Sequence, residues 1–349
     1  MDNTIKISSL TSEQARQLID CRQILDALRA AEAEMAHRFA GSMAWKQVKG
    51  REYLYRRRRG AVEHSLGPRS PETTAAAAAF VAGKAELADQ IKGLKDRLER
   101  MAPVNVALGL ARVPDVVARI VRRLDAVGML GIRIVVVGTN ALFAYEAAAG
   151  CHLQSGLLAT GDVDIALDAR RRLGLIADLP SAGLITLLRQ VDPSFRVLRV
   201  GDYRAANRDG FMVDLITPAP RDNLRHRAVQ RIGAASEDLA AAEVEKLQWI
   251  VEAPRFEATA IAQNGLPLRL VVADPRFFAA HKIWLSERDN REPAKRGRDL
   301  HQAHAVAALL AGPLSTLSVA DGTLTQIPTD LRDRLRRLVA GQTAARPEW

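Results

Sequence analysis

TGDVDIALD, residues 160–168, sets two carboxylates, Asp162 and Asp164, into an apolar alternation of Val163, Ile165 and Leu167. Alternate side chains of a strand share a face, so the run reads as a strand with both acids on one side. GFMVDLIT, residues 210–217, repeats the pattern, with Phe211, Val213 and Leu215 alternating with Met212 and Asp214. If the two strands lie side by side, Asp214 joins the pair in a three-acid cluster. Carboxylates that close repel one another and shift toward neutrality unless a cation intervenes, and a hard divalent ion is the fitting counter-charge. Asp162, Asp164 and Asp214 are therefore the candidate metal ligands and catalytic residues. With Mg²⁺ or Mn²⁺ they make the protein half of a metal-assisted phosphoryl-transfer site.

The surrounding sequence supplies a sheet and helices to hold these strands. IRIVVV, residues 132–137, is a wholly apolar, β-branched run suited to a buried strand, and it ends at Gly138. Thr139 to Ala149 reads as a helix ended by Gly150, and Pro114 to Leu130 as an amphipathic helix before the strand. Two helical stretches are expected between residue 168 and Gln190, followed by strands in FRVLRV, YRAANR and FMVDLIT. Beyond Pro220, a helix is predicted around Ala240 to Val251. A hairpin turning on Asn264-Gly265 follows, then helices from Pro275 with a loop over 311–328. The fold class is α+β, a mixed sheet flanked by helices with a helical C-terminal region.

Upstream, TSEQ at residues 11–14 is a capping box opening a long helix, and WKQVKGREYLYRRRRGAVEHSLG suggests two or three short strands with turns at Gly50, Gly60 and Gly67. Pro71 to Met101 reads as a linking helix, weakened by Gly83 and Gly93 and stopped by Pro103. Three parts are expected: an accessory module over 1–103, a catalytic domain over 104–225, and a C-terminal hairpin and helical domain over 226–349.

The 349 residues carry a net charge of +10, and residues 41–70 hold eight Lys/Arg against two acids. More than half of the excess thus sits in one short stretch. There, Trp45, Tyr53 and Tyr55 interleave with Arg56, Arg57, Arg58 and Arg59, a composition suited to stacking on bases and contacting phosphates. A charge run of this kind serves equally as a solvated, solubilising face. The two cysteines are too few for a disulfide framework or a thiolate metal site. No apolar run approaches the ~20 residues needed to cross a bilayer, and the N-terminus lacks a signal-peptide pattern, so no membrane partner and a cytoplasmic location are expected. No Walker loop, nucleophile elbow or convincing zinc spacing among His281, His301 and His304 is present.

A strand ending in Gly138-Thr139, then Asp162-x-Asp164, then a lone Asp214 resembles the polymerase-β-type nucleotidyltransferase superfamily, with Thr139 where Ser is usual. The resemblance implies that Gly138 and Thr139 seat a phosphate and that the Asp pair holds metal ions bridging an NTP. It also implies that Asp214 binds the catalytic metal and helps activate the attacking hydroxyl. Residues 274–303 are similar to the helical part of bacterial nucleotidyltransferase-fold proteins, toxin-type members among them, in which a helix Lys precedes a basic-Asp motif. Lys282 and the group Lys295, Arg296, Arg298 and Asp299 match. Lys282 would meet the triphosphate and Asp299 would orient it or a nucleophile, both as nucleotide-binding residues, whereas Arg298 reads as structural. The function so implied is NMP transfer to an acceptor hydroxyl with pyrophosphate release. From the basic hairpin, the expected acceptor is tRNA or another nucleic acid, with protein and small-molecule acceptors left open. The alternative is a nucleic-acid-binding protein that uses the fold as a scaffold or sensor.

Overall fold

Asp162–Leu167 lies near the middle of a mixed six-stranded sheet in the computed structural model, which describes residues 6–58, 60, 62–168, 183–220, 229–233, 235, 237–320 and 322–344. The strand order is Ile134–Val137, Asp162–Leu167, Met212–Pro218, Arg204–Ala206, Arg196–Val197, and Ala242–Val244 also pairs with Met212–Pro218. Ile134–Val137 runs antiparallel to Asp162–Leu167, whereas Met212–Pro218 runs parallel to it. All four residues of Ile134–Val137 are buried, as a β-branched run without polar side chains requires. The helices Asp115–Ala126 and Leu184–Val191 bury Val117, Ile120, Val121, Leu184, Leu187 and Leu188 in the same core. The carboxylate of Asp238 receives the amides of Leu184 and Ile185, both at 2.9 Å, and so satisfies donors that the first turn of a helix leaves free.

This sheet belongs to the larger of two compact units, residues 1–15, 111–264 and 268–349. It also contains Arg255–Ala262 and Pro267–Ala273, adjacent strands in a three-stranded sheet with Ala111–Val113, and the helices Pro275–Ser286, Pro293–Ala311 and Thr329–Ala344. The chain between the two longer strands turns through Gly265 at φ 81°, as the Asn-Gly pair predicts. The α+β class, with helices flanking a mixed sheet, is the observed architecture.

The smaller unit comprises residues 16–110 and 265–267. Its strands Ser42–Val48, Arg51–Arg57 and His64–Pro68 form an antiparallel meander, and most of Ser12–His37 and all of Pro71–Ala107 are its helices. The capping box predicted at the start of Ser12–His37 forms reciprocally: the Thr11 amide donates to Gln14 Oε1 at 2.8 Å, and the Gln14 amide to Thr11 Oγ1 at 3.2 Å.

Three expectations need correction. Pro103 does not stop the linking helix, which continues to Ala107. A proline near a C-terminus removes only one amide bond, and this last turn is held by Asn105, which is buried and donates to the Gly265 carbonyl at 2.7 Å. Gly109, at φ 72°, follows the true end. The helix predicted over 240–251 is a strand, Ala242–Val244, then a short helix, Gln248–Glu252. Pairing with Met212–Pro218 captures the first half of that run. The helix predicted from Thr139 begins as a 3-10 turn over Gly138–Ala141, with α-helix only over Leu142–Ala149. The first helical stretch predicted after residue 168, and Arg59, lie outside the described residues.

Candidate active site

Register brings the acids together. Val137 is partnered with Asp164, Asp164 with Asp214, and Asp214 with Arg204, so one row crosses four strands with its side chains on one face. Asp162 lies two residues before Asp164 on the same face, in the row with Met212. The parallel pairing alone decides this, since a slip of one residue would turn Asp214 to the opposite face.

The three carboxylates differ in their surroundings. Asp214 is buried, and both of its oxygens accept from Arg204, Nε at 2.7 Å and Nη2 at 2.6 Å. That bidentate bond holds the guanidinium well above its ordinary pKa. Asp162 accepts from the Thr160 hydroxyl. The pKa of Asp164 is pushed up to about 6, first by burial and then by the charges of Asp162 and Asp214, with Lys282 and Arg291 opposing. In type, acid oxygens on one face fit a hard divalent cation. Among the described residues, however, no group of three His, Cys, Asp or Glu side chains stands ready to hold a metal ion. Arg204 donates to both oxygens of the third carboxylate, Asp214.

Gly138 closes the site from above. It sits at φ 63°, and a β-carbon on it would overlap Oδ2 of Asp164, so this position needs glycine both for its backbone and for the close approach of the carboxylate. The hydroxyl of Thr139 accepts from Gln302 Nε2 at 3.2 Å, and Asn140 Nδ2 donates to the Asp162 carbonyl at 2.9 Å. The turn is thereby tied to the acid strand and to Pro293–Ala311.

Lys282 and Asp299, both expected as nucleotide-binding residues from the resemblance over 274–303, meet at 2.6 Å, and Arg291 donates to the other Asp299 oxygen at 2.9 Å. Lys282 is buried, which lowers its pKa, while Asp299 raises it. Arg298 donates to the Ala159 carbonyl and so ties its helix to the loop before the acid strand. Lys282, Arg291, Asp164, Asp214 and Gly138 border one cavity of about 370 Å³.

The hairpin residues divide between two faces. Opposed pairs Lys46 and Tyr53, and Ala44 and Tyr55, put both tyrosines on the face that also carries Arg51 and Arg57. Trp45 is opposed to the fully buried Leu54 and lies on the other face, with the Arg69 guanidinium 5.2 Å from its ring centroid. Arg56 shares that inner face, where it donates to the Arg38 carbonyl at 2.6 Å and lies 5.3 Å from the Phe80 ring centroid. Trp45 and Arg56 therefore do not join Tyr53 and Tyr55 in one surface. Arg57 and Arg58 are exposed.

Arg204, Arg291, Asn140 and Gln302 were not anticipated from sequence. Arg204 alone had a legible signal, since it lies in the predicted strand YRAANR close before Asp214, but its partner depends on register.

A family model described as nucleotidyltransferase matches residues 115–327, and the chain belongs to that family. The match holds the acid row, Gly138, Thr139, Lys282 and Asp299, and excludes the basic hairpin. Membership makes the protein a transferase with nucleotidyl transfer as its general activity. No curated protein and no solved structure matches the chain. Among the described residues, no helix is long and apolar enough to cross a membrane.

Proposed function

We propose that this nucleotidyltransferase moves a nucleoside monophosphate from an NTP to an acceptor hydroxyl, with release of pyrophosphate, in the manner of the polymerase-β superfamily. The observation that carries the reading is the side-by-side register of Asp164 and Asp214 beneath Gly138. Mg²⁺ or Mn²⁺ would be held by Asp162 and Asp164, and by Asp214 once Arg204 turns away. Such an ion, when bound, neutralises charge on the phosphates. The chain's own contributions are Lys282 and Arg291 as fixed positive charge beside the triphosphate, Asp299 as the group that orients both, and Gly138 as the point of close backbone approach. Asp162→Ala or Asp214→Ala is expected to abolish transfer while leaving the circular dichroism spectrum intact. Full transfer by either variant would sink the proposal.

A nucleic-acid acceptor, tRNA first, is supported by exposed Arg51 and Arg57 on one face with the half-buried Tyr53 and Tyr55. Incubation with each α-labelled NTP and a cell extract, with Asp164→Ala as control, reports whether label enters RNA, protein or small metabolites. The relation to toxin-type members rests on Lys282 and Asp299. Its test is growth arrest on expression of wild type but not of Asp164→Ala.

The second reading, a nucleic-acid binder with an idle nucleotidyltransferase fold, is favoured by the Arg204 bond to Asp214 and the lack of a ready three-donor set among the described residues. It expects RNA binding without NTP consumption under Mn²⁺.

A further inference from the structure

The cavity beside the acid row is mostly apolar, and its geometry is set by the same sheet. One row beyond Asp164 and Asp214 on that face, Ile216 is partnered with Ala242, and Val244 follows two residues later, so the walls recede from the acids in steps of about 7 Å. Opposite them, Phe278, His281, Lys282 and Leu285 recur at three- and four-residue spacing on Pro275–Ser286 and line the same cavity. At about 370 Å³ it lies at the small end of ligand sites, room for one flat group and its linkage.

One polar atom in this wall lacks a partner. His281 is 9% exposed, and its Nε2 is buried with no hydrogen bond. Its ring stacks on Trp284 with centroids 5.7 Å apart, which fixes its plane. Burial, and then the charge of Lys282, push its pKa down to about 3, so the imidazole is neutral at physiological pH. A buried polar atom of this kind demands a partner, and a site built around it rejects occupants that cannot supply one.

We infer that the cavity takes the nucleobase of the donor nucleotide and that His281 selects it through a hydrogen bond between Nε2 and the base edge. The required occupant has apolar faces and a single polar edge at depth, and it is joined to phosphates lying at the acid row and Lys282. A nucleobase meets all of these conditions. The inference rests on the nucleotidyl-transfer reading above.

Isothermal titration of the full chain with each of the four NTPs and with tripolyphosphate, in Ca²⁺, tests it. Wild type is expected to bind one NTP at least 10-fold more tightly than the other three and than tripolyphosphate. His281→Phe, which keeps the stack on Trp284, is expected to lose that preference by about 10-fold, one hydrogen bond's worth, with tripolyphosphate affinity unchanged. Val244→Phe, which narrows the far wall, is expected to weaken every NTP and spare tripolyphosphate, so the proposal stays testable if His281→Phe does not fold. Base-blind binding by wild type, or preference retained in His281→Phe, overturns the inference while transfer of label leaves the nucleotidyl-transfer reading standing. Absence of both NTP binding and transfer overturns the two together.

Discussion

Gly138 and Asp164 are two residues whose roles conflict with stability, and each conflict can be measured. Gly138→Ala must adopt a left-handed backbone, at a cost of about 1–2 kcal/mol, and its methyl displaces the Asp164 carboxylate. The expected result is a modest fall in Tm with near-complete loss of transfer, a disproportion that an ordinary loop glycine would not produce. Asp164 has a folded pKa near 6, above its unfolded value near 3.8. The folded state therefore holds the proton more tightly, and stability falls as pH rises from about 4 through 6. At about 1.4 kcal/mol per pKa unit, the charged form carries a cost of ~3 kcal/mol above pH 6. In metal-free protein, Asp164→Asn is expected to unfold at a higher temperature than wild type at pH 8, with the difference vanishing near pH 4. Equal melting temperatures at pH 8 would show that the carboxylate is better solvated than its burial implies. The candidate acids were legible in the sequence because strand periodicity is local. The crowding that unsettles Asp164 was not, because it depends on which strand lies next to it.

At the scale of elements, cross-strand partnership decides what each charged residue does. Arg204 faces Asp214 across an antiparallel pair, and Arg204→Ala leaves a buried carboxylate without its partner, a loss of about 2 kcal/mol. Mn²⁺ is expected to bind this variant more tightly than wild type and to restore its melting temperature, as followed by calorimetry and thermal scans. In the three-stranded meander, adjacent arginines diverge in the same way. Arg56→Ala is expected to lower stability because Arg56 bonds the Arg38 carbonyl on the inner face. Arg57→Ala is expected to leave stability unchanged and to weaken RNA binding in a gel-shift assay. The strands, the capping box and the Asn-Gly turn were readable from patterns a few residues long. The run over 240–251 was misread as one helix because its pairing with Met212–Pro218 overrode local preference.

For the molecule as a whole, the basic excess and the acid row lie in different units, and the family match spans the acid row but not the basic segment. If the exposed basic face carries nucleic acid, log affinity should fall linearly with log salt, with a slope of about −0.7 for each phosphate contacted on single strands. Replacing Arg51 and Arg57 together should make that slope shallower by roughly one to two. A slope unchanged by the replacement would assign the charge to solvation. The sequence by itself determined the α+β class, the three acids, the Gly-Thr turn and the basic segment, because each is written in alternation, glycine placement or local charge. Only the tertiary structure decided that Asp214 stands beside Asp164, that Arg204 occupies it, that Lys282 meets Asp299, and that His281, bordering a cavity, keeps a buried Nε2 without a hydrogen bond. These are meetings between residues far apart along the chain. Strand register and helix packing create them, and no pattern within a short window encodes which distant face will arrive.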